Sequence, residues 1–135
     1  MSFLQPRIKN TRDIEPLDIA AATVTTKGSL AARTSSGLVI LATSASTRAD
    51  LEGVFNQSLG ASDTEVQVPA IMIDPQDTWI ADLENNSNAA HNYQRMILTD
   101  AATVNNTGTD SASGVVVQVE PYGPAANKQA IVRFV

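Results

Sequence analysis

The chain reads as a series of short apolar runs separated by turn signals, and the last third shows this most clearly. Residues 105–114 (Asn-Asn-Thr-Gly-Thr-Asp-Ser-Ala-Ser-Gly) are polar. Val115-Val116-Val117-Gln118-Val119 is a β-run, Pro121-Tyr122-Gly123-Pro124 a turn, and Ala130-Ile131-Val132-Arg133-Phe134-Val135 a second run. β-Branched runs bounded by turn residues predict strands. The final residue still lies inside the apolar pattern, so the last strand is expected to be zipped into a sheet rather than frayed in water.

The same grammar runs upstream. Thr23-Val24-Thr25-Thr26 is β-branched and leads into the turn Lys27-Gly28. Leu30-Ala31-Ala32-Arg33 and Leu38-Val39-Ile40-Leu41 flank the turn Thr34-Ser35-Ser36-Gly37, which predicts a hairpin. Residues 66–73 are apolar on both faces, but Pro69 removes a ladder donor and predicts a bulge or an edge. Asp74-Pro75-Gln76-Asp77 is a turn, Thr78-Trp79-Ile80-Ala81 a short strand, and Arg95-Met96-Ile97-Leu98-Thr99 another. Residues 82–92 read as a polar loop with one helical turn at Ala89-Ala90, and residues 100–113 as a long loop. One segment predicts a helix. Thr47 and Asp50 have capping-box spacing, Leu51, Val54 and Phe55 fall at i, i+3 and i+4, and Gly60 supplies a stop.

Residues 1–22 differ from the rest. They contain Pro6 and Pro16 and no sustained apolar period, which predicts an extended arm. The expected organisation is an N-terminal arm over 1–22 and a β domain over 23–135. The expected fold is mainly β, a small β-barrel or β-sandwich with one short helix and that extended N-terminal arm. On this reading, deletion of residues 1–20 leaves the domain folded.

Composition narrows the functional classes. A chain of 135 residues is one domain large enough to bury a core, and the absence of cysteine removes disulfides and thiolate metal sites. No apolar run approaches the roughly 20 residues that span a bilayer, so no membrane partner is expected. The net charge of −5 speaks against binding nucleic-acid phosphates. Arg7, Lys9 and Arg12 nevertheless place a third of the nine Lys and Arg residues in one short stretch, which reads as a basic head with its own partner or as a solvated tail. Ala, Ser, Thr and Asn supply 52 residues while charged residues are 17%. Such a surface packs against other protein with little loss of side-chain entropy, as assembly proteins require.

No residue set announces catalysis. His91 is the sole histidine, it sits in an Asn-rich loop, and no Gly-x-Ser-x-Gly or cysteine nucleophile accompanies it. Asp74, Asp77, Asp82 and Glu84 are the densest carboxylates, but EF-hand spacing and its glycine are missing, and Asp-Pro-x-Asp reads as an ordinary turn. Gly108 and Gly114 precede a strand and make no phosphate loop. With aromatics at 4%, neither a sugar cleft nor a base-stacking surface is expected, and Trp79, Phe55 and Phe134 read as core. No enzyme activity, catalytic residue, metal or cofactor is expected.

Three stretches carry a resemblance: residues 82–92 (Asp-Leu-Glu-Asn-Asn-Ser-Asn-Ala-Ala-His-Asn), residues 96–109 (Met-Ile-Leu-Thr-Asp-Ala-Ala-Thr-Val-Asn-Asn-Thr-Gly-Thr) and residues 123–134 (Gly-Pro-Ala-Ala-Asn-Lys-Gln-Ala-Ile-Val-Arg-Phe). They resemble small structural proteins of tailed bacteriophages, the capsid decoration or cement group. The resemblance implies a compact β-barrel or β-sandwich, a homotrimer on the outer capsid surface, and an N-terminal arm that clips capsomers together. Its implied partner is the major capsid protein, and Arg7, Lys9 and Arg12 become the candidate capsid-contact residues of the arm. The implied role is to stabilise the head by bridging capsid subunits, with synthesis in the host cytoplasm. The rival readings are another virion component (a head-fibre base, tail-tube or adaptor protein) and an ion- or carbohydrate-binding β-module.

Overall fold

The computed structural model describes residues 13–108, 111–124 and 127–135, with the backbone of Gln5 and Pro6. The strands are β1 (Gln5–Pro6), β2 (Ile14–Asp18), β3 (Leu30–Arg33), β4 (Val39–Leu41), β5 (Leu51–Phe55), β6 (Gln67–Met72), β7 (Trp79–Asp82), β8 (Arg95–Asp100), β9 (Thr103–Asn105), β10 (Val116–Pro121) and β11 (Gln129–Phe134). They form two antiparallel sheets, ordered β1-β7-β11-β10-β8-β9 and β2-β6-β5-β3-β4. The expected mainly β fold is the one observed. The terminal run is indeed paired, since β11 lies between β7 and β10.

The five-stranded sheet curls. Ile19, just past β2, makes a parallel bridge to Val39 of β4, and the Ala20 N–H donates to the Val39 carbonyl at 3.2 Å. The two outermost strands of that sheet therefore meet and produce a half-barrel. Its interior holds Ile19, Ala31, Val39, Phe55, Leu59 and Val68. Its opposite face packs on the six-stranded sheet, where Leu30, Leu51 and Val54 join Trp79, Met96, Leu98, Val132 and Phe134. Trp79 and Phe134 meet edge to face, with centroids 6.0 Å apart and planes at 73°, the geometry that ring quadrupoles favour. β3 serves both interiors. Leu30 and Ala32 face the sheet interface and Ala31 faces the half-barrel, because side chains alternate along a strand.

The predicted helix over residues 47–60 is not there. Among the described residues the helical elements are single 3-10 turns, Arg48–Asp50 and Ala89–His91. The capping-box residues do act at the first: the Asp50 carboxylate accepts from the Thr47 N–H at 3.3 Å and from the Thr47 hydroxyl at 2.9 Å. The chain then enters β5. Leu30 pairs with Val54 and Ala31 with Gly53, but Ala32 pairs with Leu51, so Glu52 is an extra residue in the ladder. That bulge shifts the side-chain phase by one. Leu51 and Val54 both reach the sheet interface, and Phe55 turns into the half-barrel. A bulged strand thus imitates helical spacing.

Two further expectations are corrected. Pro69 lies in an interior strand, not at an edge, because β6 has β2 on one side and β5 on the other. It sits where β5 runs out. The Asn56 N–H still donates to the Pro69 carbonyl at 2.8 Å, and only the reciprocal bond is lost. Nor are residues 1–22 a single arm, since Ile14–Asp18 form β2, paired with β6, and Ile19 is buried. The Met72 N–H donates to the Asp13 carbonyl and the Ile19 N–H to the Val66 carbonyl. This phase leaves the Pro16 ring nitrogen facing outward, where no ladder donor is needed. The domain therefore begins at Asp13.

Candidate functional site

The residues first tested for chemistry do not assemble. Among the described residues no group of three or more His, Cys, Asp or Glu side chains is placed to hold a metal ion. The Asp74 carboxylate accepts from the Gln76 N–H at 2.9 Å, the turn expected for Asp-Pro-x-Asp, and the Asp82 carboxylate accepts from the Gln129 amide at 2.9 Å. His91 lies half-buried in the second 3-10 turn. Its Nδ1 has no hydrogen-bond partner among the described residues. Arg7, Lys9 and Arg12 lie outside the described residues.

Surfaces are more informative. Side chains directly opposite on paired strands share a face. On β2 and β6 this sets Ile14 beside Ile71 and Pro16 beside Pro69, on the face turned away from the half-barrel interior. Ile71 is half-buried against the sheet interface, while Ile14 is 56% exposed. The intersheet core therefore continues onto the surface as an apolar stripe. The stripe ends at Asp18 and Gln67, joined by a 2.8 Å hydrogen bond from the Gln67 amide to the Asp18 carboxylate. It begins at Asp13, where the basic head joins the sheet.

A second feature opens at the end of the half-barrel. Ile19, Ala21, Ala22, Leu38 and Val66 form the apolar part of a groove of about 530 Å³, and Asp63 and Glu65 supply its acidic rim. No Lys or Arg lines it. Val66 is 71% exposed. A smaller cavity of about 320 Å³ lies between the sheets, lined by Thr26, Ser29, Leu41, Ala42, Asp100, Ala101 and Ala102. It brings together no base and nucleophile.

The Asn-rich segment, read as a loop, is a rigid platform. The Asn106 amide donates to the carbonyls of Asn85 and Asn86 at 3.0 and 3.2 Å, and its oxygen accepts from the Asn85 N–H at 2.9 Å. Gln118, fully buried, donates to the Asn88 carbonyl at 2.8 Å and to the Asn92 side-chain oxygen at 2.9 Å. The Gln118 carbonyl then accepts from the Tyr93 N–H at 2.6 Å. Tyr93 is held at φ +65° with its side chain 76% exposed. A left-handed backbone costs a residue with a β-carbon on the order of 1 kcal/mol. Tyr93 is therefore strained and leaves a large ring in water.

Sequence reasoning passed over Ile14, Val66 and Tyr93. Ile14 stood in the supposed arm, and Val66 looked like ordinary strand. A positive φ at Tyr93 leaves no trace in a sequence that offers no glycine there. Compared with known protein families, curated proteins and solved structures, the chain matches none.

Proposed function

We propose that this protein is a virion structural component that decorates the outer surface of a phage capsid and stabilises it by bridging subunits of the major capsid protein, acting as a homotrimer. The observation that carries the reading is the apolar stripe Ile14–Pro16–Pro69–Ile71 on a sheet face, placed where the chain leaves the basic head. A contact surface of this kind needs no cleft. Modest affinity at each site becomes strong attachment when repeated over a lattice. Arg7, Lys9 and Arg12, next to the stripe in the chain, would supply complementarity to acidic capsid patches and favour orientation.

The test is binding of purified protein to expanded phage heads stripped of decoration, with occupancy read by electron microscopy. Wild type is expected to occupy regular surface positions and to raise the heat resistance of the particles. Ile14→Asp and the triple change Arg7→Glu, Lys9→Glu, Arg12→Glu are each expected to weaken binding by about tenfold or more. Undiminished occupancy with both variants would reject this contact surface. Labelling confined to the tail, or no binding by wild type, would reject the capsid role.

A further inference from the structure

We infer that Tyr93 is the anchor of a head-to-tail contact between copies of this chain, inserting its ring into the groove formed by Ile19, Leu38 and Val66 of the next copy. The inference is independent of the capsid reading, because it concerns only this chain's binding to itself.

The argument starts from strain. Tyr93 sits at φ +65° and is 76% exposed. Glycine would relieve the backbone and remove an apolar ring from water, so the side chain makes the isolated fold less stable than it need be. The platform beneath it is stiff: the buried Gln118 amide bonds to Asn88 and Asn92, and the Gln118 carbonyl holds the Tyr93 N–H. A rigid, exposed aromatic on a fixed support loses little entropy on insertion, the property of an interface hot spot.

The same molecule carries a receptor. The groove is apolar at Ile19, Ala21, Ala22, Leu38 and Val66, and Asp63 and Glu65 on its rim can accept from a tyrosine hydroxyl. Charge favours the same pairing. Arg95, two residues beyond Tyr93, is exposed. Through Val117 it shares a cross-strand row with Arg133, also exposed. The side of the molecule that carries Tyr93 is thus cationic in this row, and the groove rim is acidic with no Lys or Arg among its lining residues. Knob and groove are different surfaces of one chain, so the contact is heterologous and builds a ring or a chain of copies.

The experiment is sedimentation analysis of the full chain over a concentration series, with thermal unfolding of each variant. Wild type is expected to self-associate. Tyr93→Gly should weaken association about tenfold or more while its Tm stays level or rises. Val66→Asp, at an exposed position, should weaken association similarly. An equimolar mixture of the two variants should recover a one-to-one heterodimer, because one retains the groove and the other the knob. Wild type that stays monomeric at the highest concentrations overturns the inference. So does a mixture that stays monomeric, a Tyr93→Gly protein that associates like wild type, or one whose Tm falls.

Discussion

Gly53 shows how a single residue constrains the half-barrel. It lies buried on β5 between Ala31 and Met72. A β-carbon there would stand 2.7 Å from the Ile71 carbonyl oxygen and 3.4 Å from the Ala70 methyl. The nearest obstacle is backbone, which cannot swing aside as a side-chain tip can. Gly53→Ala should therefore destabilise the fold by about 1–3 kcal/mol, the range of overpacked cores, measured as a lower urea midpoint at unchanged m-value. An unchanged midpoint would mean that β5 and β6 can separate freely. In the sequence this glycine looked like an interruption of a helix. What fixes it is the approach of β6, which joins the ladder from farther along the chain. The Asn-rich stretch is similar: its composition was visible, but not the partners Asn106 and Gln118 that turn it into a platform.

At the scale of elements, the sequence marked the hairpin of β3 and β4 and the terminal strands β10 and β11 well. Their apolar runs are flanked by turns within a few residues, so local signals suffice. It misjudged β5 and β2 for two separate physical reasons. The Glu52 bulge gave β5 a helical spacing of apolar residues. Pro16 made β2 look unpaired, although its ring nitrogen faces away from the ladder. The position of β2 changes where the chain can be cut. Deletion of residues 1–12 should leave a folded protein. Deletion of residues 1–20 removes β2 and the buried Ile19, and should destabilise the fold by about 3 kcal/mol or more on the scale of core truncations. Circular dichroism melts of the two truncations distinguish these outcomes, and equal Tm values would show that β2 is dispensable. A binding assay of the arm must use the shorter deletion, since loss of binding in the longer one would follow from unfolding.

At the scale of the whole molecule, the two interiors are not independent. β3 lends Leu30 and Ala32 to the sheet interface and Ala31 to the half-barrel. The Leu30 N–H also accepts a partner from beyond its own sheet, donating to the Ala101 carbonyl at 2.8 Å. Neither interior can open without disturbing that strand, so unfolding is expected to be one cooperative transition. Trp79 fluorescence reports the sheet interface and far-ultraviolet dichroism reports all strands, so the two urea curves should superimpose. Separate midpoints would identify the half-barrel as its own unfolding unit.

The rims of the sheets have one more implication. Ile19 reaches across to Val39, Leu83 pairs with Val104, and Pro16 lacks a donor on the outward side of β2. A free strand from a neighbour therefore meets interrupted backbone rather than a long template. Molecules crowded side by side can touch through side chains at high density without converting into cross-β fibrils.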